Sequence, residues 1–93
     1  MTAILIRKAM GETLRTLRQE AGMTLREVSV ASMVSLGYLS EIERGCKEAS
    51  SEVLYSIALA LGASLSDVLR LVSETVADQE NAALPTRRIA LAA

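Results

Sequence analysis

Residues 24–45 read Thr24-Leu-Arg-Glu-Val-Ser-Val-Ala-Ser-Met-Val-Ser-Leu-Gly-Tyr-Leu-Ser-Glu-Ile-Glu-Arg-Gly45, and this stretch decides the fold. Thr24 followed three residues later by Glu27 is a capping box, which starts a helix at Leu25. Val28 and Ala31 give that helix an inward face. Ser35 is a second good N-cap, so Ser32-Met33-Val34 cannot carry the first helix far. From Leu36 a second helix turns Leu39 and Ile42 inward, three residues apart on one face. Gly45 stands where a helix C-terminus favours a residue tolerant of positive φ. The stretch therefore predicts two short helices meeting at a corner of three or four residues.

Such a pair is a helix-turn-helix, whose second helix can enter the major groove of DNA. The flanking sequence supplies its support. Ile6, Met10, Leu14 and Leu17 recur at helical steps over residues 4–21, and Gly22 closes that helix. After the polar loop that follows Gly45, Ser50 caps a helix over 51–61 with Val53, Leu54, Ile57, Ala58 and Leu61 as its inward stripe, ended by Gly62. Ser64-Leu-Ser-Asp67 opens a fifth helix that extends to about Gln79, on which Leu65, Val68, Leu69, Val72 and Val76 are apolar and Leu71 points elsewhere. An apolar stripe of that length in so small a domain needs cover. Leu69, Val72 and Val76 are the positions expected to pack on the same helix of a second subunit. The domain is thus expected over residues 1–80, with the helix-turn-helix at 24–45, the dimerising helix at about 65–79, and a flexible tail at 81–93 in which Pro85 blocks helix continuation.

Ninety-three residues suffice for one small domain with a single core. Phe and Trp are absent while about half the residues are apolar, so Leu, Val, Ile, Ala and Met must fill that core, an all-α composition. One cysteine, Cys46, excludes an internal disulfide and fits a reducing cytoplasm; without histidine no zinc site is expected. The N-terminal apolar stretch is too short for a signal peptide and no segment is long enough to span a membrane, so no membrane association is expected. No nucleophile–base pair, phosphate loop or metal cluster is present in the sequence, so neither enzymatic activity nor a cofactor is expected. The net charge of −1 is unevenly spread. Residues 1–47 hold seven basic side chains against five acidic ones, a net +2, whereas residues 48–80 hold Arg70 against six acids, a net −5; Arg87 and Arg88 follow. A polarised molecule of this kind can present a basic face to phosphate.

The segments Val34-Ser35, Tyr38-Leu39-Ser40, Ile42-Glu43-Arg44-Gly45 and Ile57-Ala58-Leu59-Ala60-Leu61-Gly62 resemble the Cro/repressor-type (XRE) helix-turn-helix regulators, over roughly residues 5–72. Within them, Thr-Leu-Arg-Glu-Val-Ser, Val-Ser-Leu-Gly-Tyr-Leu-Ser-Glu-Ile-Glu-Arg-Gly and Lys-Glu-Ala-Ser-Ser-Glu are similar to the Clp gene regulator subgroup. The resemblance implies a five-helix, lambda-repressor-like DNA-binding domain with an extended C-terminal helix. It also implies a homodimeric activator of genes for the Clp protease system and stress response, with double-stranded DNA and RNA polymerase as partners. Three positions depart from the family pattern. Leu25 stands where a phosphate-anchoring Gln is common, so Arg26 takes over that contact; Ser29 stands for a small Ala; and Met33 stands for a turn Gly.

Ser35, Leu36, Gly37, Ser40 and Glu41 fall at the start and outer side of the second helix of the pair, where base edges would be met. Leu36 suits a thymine methyl, Gly37 permits close backbone approach, Ser40 donates or accepts, and Glu41 accepts from a cytosine amino group. Tyr38 resembles the family tyrosine that flanks the groove; it bonds a phosphate through its hydroxyl, packs partly into the core, or does both. Arg26, Arg44 and Lys47 are phosphate candidates, which position without reading sequence. Glu43 would be repelled by phosphates and is expected to pair with an arginine. Leu91-Ala92-Ala93 resembles a C-terminal signal recognised by Clp-type proteases, which would make Clp protease a further partner. Two other readings use the same residues: an antitoxin or phage-type repressor with 48–80 as its partner surface, and a protein-interaction adaptor without DNA binding, favoured by Leu25 and the negative net charge.

Overall fold

The computed structural model describes residues 5–83. Five helices follow one another: α1 (Ile6–Glu20), α2 (Leu25–Ser32), α3 (Leu36–Glu43), α4 (Ser51–Ala60) and α5 (Leu65–Ala83). Helix starts are set by local polar chemistry. The Thr24 hydroxyl accepts from the Glu27 amide at 3.0 Å while the Glu27 carboxylate accepts from the Thr24 amide at 2.8 Å, the reciprocal capping box that the sequence predicts. Ser35, Ser50 and Ser64 accept from the amides of Tyr38, Val53 and Asp67, which satisfies one orphan donor at the start of each following helix.

Ala9, Leu14, Val28, Val34, Leu39, Ile42, Leu54, Ile57, Ala58, Val68 and Val72 form one core to which every helix contributes. Each buried aliphatic side chain of Val, Leu or Ile size is worth about 1.5–3 kcal/mol relative to exposure. α1 packs on both α3 and α5, α2 on α3 and α4, and α4 on α5, so α3 is held from one side by α1 and from the other by α2. No single helix among the described residues is long and apolar enough to cross a membrane.

The structure corrects the sequence reading at several positions. Ile6 is 64% exposed, and the inward places on α1 go instead to Ala9 and Thr13. Ala31 is exposed; one residue on, Ser32 is buried in its stead, with its hydroxyl accepting from the Val34 amide at 3.3 Å. α5 runs to Ala83, so residues 81–83 belong to a helix rather than to a tail. Val72 is only 5% exposed. It fills this chain's own core and leaves little surface for a second subunit, in contrast to Leu69.

Candidate nucleic-acid interface

The corner between α2 and α3 is closed by serine hydroxyls. Ser29 donates to the Val34 carbonyl, and Ser32 accepts from the Val34 amide, so both backbone groups of Val34 are satisfied from within α2. Between them Met33 adopts φ +62° with its side chain 92% exposed. A non-glycine residue in this region costs about 1–2 kcal/mol, which the two serine bonds and burial of Val34 offset. Ser29 therefore does more than stand in for a small Ala: its hydroxyl bonds the turn.

The outer side of α3 is open. Ser35, Leu36 and Gly37 are exposed, Ser40 and Glu41 are half-buried, and Arg44 is exposed at the helix end. Positions 36, 40 and 44, with 37 and 41 beside them, share a face by helical spacing. A Cβ added at Gly37 meets nothing within 4 Å, so the space beside the backbone there is free for a ligand. Arg44 donates through Nε to the Ser40 carbonyl at 3.4 Å, leaving its two terminal amino groups available. Lys47 follows in the exposed α3–α4 loop and Arg26 is exposed in the first turn of α2. Tyr38 settles between its two sequence readings in an unforeseen way. It is half-buried and its hydroxyl donates to the Glu48 carbonyl at 2.8 Å. That bond commits its single proton, so Tyr38 ties the loop carrying Lys47 to α3.

The inner side of α3 is fastened to α1. Glu43 does pair with an arginine: Arg18 donates through Nε at 2.8 Å and Nη2 at 3.0 Å, and through Nη1 to the Met23 carbonyl at 2.9 Å. The hydrogen bond to Glu43 raises the Arg18 pKa above the ordinary guanidinium value, against the opposing effect of burial. Two parallel bonds to a carboxylate fix orientation as well as charge. One arginine thus joins α1, the α1–α2 loop and the end of α3. Gly11 completes the seat: a Cβ there would stand 2.5 Å from the Ile42 carbonyl oxygen and 2.6 Å from that of Glu43, so only glycine admits this backbone approach. The sequence reading missed Gly11, although a glycine inside a helical pattern is a cue to close packing. It also left Arg18 unassigned, because nothing local names a partner 25 residues away.

Of the residues expected at a dimer contact, Leu69 is 48% exposed, Val76 is half-buried against the core, and Val72 is inside it. Cys46 is a free, exposed thiol. Leu91, Ala92 and Ala93 lie outside the described residues.

Two short helices bonded at a serine-closed corner, with one face of the second left open and flanked by cations, define a helix-turn-helix DNA-binding transcription regulator. The sequence profile of the helix-turn-helix family matches residues 14–68. The transcriptional regulator ClgR of Mycobacterium tuberculosis is 54% identical over 84 residues, spanning 90% of this chain and 75% of that protein. Among solved structures, the clp gene regulator ClgR from Corynebacterium glutamicum superposes with a TM-score of 0.83 at 46% identity, covering 98% of this chain and 97% of that one. The restriction-modification controller protein C.Esp1396I, solved as a tetramer in complex with its natural 35 base-pair operator, shares the fold at 20% identity and a TM-score of 0.73, covering 80% of this chain and 97% of that one. The chain belongs to the ClgR family of XRE-type helix-turn-helix transcriptional regulators.

Proposed function

We propose that the protein is a homodimeric activator of Clp protease and related stress genes that acts in the cytoplasm on a pseudo-palindromic site. The observation that carries the DNA-reading part is the open face of α3 over Ser35, Leu36 and Gly37, with nothing of the protein beside Gly37. In this reading Ser35, Leu36, Gly37, Ser40 and Glu41 meet base edges, while Arg26, Arg44 and Lys47 hold phosphates. Tyr38 positions Lys47 through the loop. The likeness to the ClgR regulators supports Clp genes as the targets. RNA polymerase is the partner that activation requires, and Clp protease the partner that the Leu91-Ala92-Ala93 end would engage.

Two copies of α3 then enter successive major grooves about 34 Å apart. A single small module with few phosphate contacts binds weakly, whereas two joined modules gain from effective concentration. Because Val72 belongs to the core, the dimer contact in this reading uses Leu69, with the rim of Val76 and two other exposed apolar side chains of the preceding helix, Tyr55 and Leu59. The experiment is a gel shift against the protein's own promoter and a Clp gene promoter, paired with sedimentation of the wild type and of Leu69→Asp. Retarded promoter DNA and a dimer that dissociates in the variant are expected. Absence of any shift on either promoter refutes the DNA target, and a dimer that survives Leu69→Asp moves the contact elsewhere.

A further inference from the structure

We propose that Arg7 and Lys8, in the first turn of α1, extend the phosphate-binding surface beyond the helix-turn-helix, so that a DNA strand leaving α3 passes along the α3–α4 loop and over the start of α1. The inference rests on the DNA-binding reading of α3 and enlarges its footprint.

The fold brings these two cations to the loop although they stand nearly forty positions from it in sequence. Arg7 donates through Nε to the Gly45 carbonyl at 3.1 Å, which leaves both terminal amino groups unused by that bond. Lys8 lies directly on Gly45: a Cβ at position 45 would stand 2.8 Å from Lys8 Cγ and 3.1 Å from Lys8 Cα, and the backbone there has φ +76°. Glycine at 45 is thus needed twice, for the left-handed turn and for the approach of Lys8. Lys47 leaves the same loop two residues later. Ile6, Arg7, Met10, Lys47, Glu48 and Ala49 surround one shallow depression of about 200 Å³, so Arg7 and Lys47 share its rim.

The charges at this edge are not used internally. Among the described residues, ion pairs are formed by Arg18 and Arg70; Arg7, Lys8, Arg44 and Lys47 form none. Glu48 is the one carboxylate lining the depression. Gathering like charges that form no ion pair among the described residues costs free energy in the unbound protein, and a polyanion repays it by releasing its own condensed counterions. The DNA backbone is the polyanion already expected at the neighbouring Arg44 and Lys47. The sequence reading gave Arg7 and Lys8 no role, since the contact with Gly45 is invisible from local pattern.

The test is a salt titration of the full chain by fluorescence anisotropy on a Clp promoter duplex and on a scrambled duplex of equal composition. Wild type, Lys8→Gln, Arg7→Gln and Arg70→Gln are compared, and thermal melts verify folding. Removing one cation from a phosphate lowers the slope of log affinity against log salt by about 0.9. In a dimer each substitution removes two such contacts, so Lys8→Gln, which breaks no hydrogen bond, is expected to reduce the slope by about 1.8, equally on both duplexes and with an unchanged melt. Arg7→Gln is expected to reduce the slope by a similar amount, with a small fall in Tm from loss of its bond to Gly45. Arg70→Gln, on α5, is expected to leave the slope unchanged. A steep wild-type slope retained in Lys8→Gln and Arg7→Gln overturns this inference while leaving DNA binding intact. An equal reduction of slope in Arg70→Gln also overturns it, because the effect would then follow total charge. A flat wild-type slope overturns both the inference and the reading beneath it.

Discussion

The two sides of α1 meet their neighbours in opposite ways. Toward α3 the helix offers Gly11, whose backbone lies against the Ile42 and Glu43 carbonyls, together with Arg18, whose side chain and that of Glu43 are only 14% and 7% exposed. Toward α5 it offers Glu12, Thr16 and Glu20 across an open groove of about 260 Å³ from Glu74 and Asp78. One side is closed by backbone contact and a bidentate ion pair; the other lines an open groove with carboxylates. The difference explains how a chain of net charge −1 can present a basic edge. Four of its eleven acids, Glu12, Glu20, Glu74 and Asp78, line the α1–α5 groove, and Glu43 near the end of α3 is neutralised by Arg18. Net charge alone therefore says little about the partner of so small a domain.

The largest effect is expected where the backbones touch. Gly11→Ala would place a methyl group inside two carbonyl oxygens that cannot move without shifting α3, an overpacking cost of about 3 kcal/mol, even though alanine favours helix. Thermal unfolding is the measurement, with a fall of Tm by roughly 10 °C or more. An unchanged Tm would mean that α1 and α3 are less closely seated than described.

Next comes the ion pair. Arg18→Ala leaves the buried Glu43 carboxylate without its partner and frees the Met23 carbonyl, for an expected loss of about 2 kcal/mol. The value falls below that for fully buried pairs because water reaches part of Arg18. Chemical denaturation of Arg18→Ala, Glu43→Ala and the double variant measures the coupling directly, and additive losses would show the pair to be unimportant. On the other side of α1 the effects should be small. Asp78→Asn, in the acidic groove, is expected to stay within about 0.5 kcal/mol of the wild type and to leave promoter affinity within twofold. A large change in either would make the groove part of the functional surface.

How much of this was legible follows from how local each feature is. The caps at Thr24, Ser35, Ser50 and Ser64 were readable because each acts within three residues. Leu14, Leu39, Ile42, Ile57 and Val68 were readable because large apolar side chains repeat at helical spacing. Ala9 and Thr13 were not, since one is small and the other polar, and their burial depends on what packs above them. Glu43 could be assigned to an arginine from its position, but the choice of Arg18 required the crossing of α1 over the end of α3. Val72 was misassigned for a related reason: an apolar stripe on α5 does not say which of its members the chain's own core will claim. The open face of α3 was legible from Ser35 to Arg44, whereas its extension through Arg7 and Lys8 was not.

The central claim is that the face of α3 around Gly37 lies against DNA, and Gly37→Leu tests it most directly. The space beside Gly37 is empty in the protein, so the substitution should keep the fold and stabilise the helix by roughly 0.5–1 kcal/mol. Anisotropy on the Clp promoter duplex at fixed salt should then show affinity reduced tenfold or more, a loss of at least about 1.4 kcal/mol, in a variant whose Tm has not fallen. Undiminished affinity for that duplex in the folded Gly37→Leu protein would contradict the account.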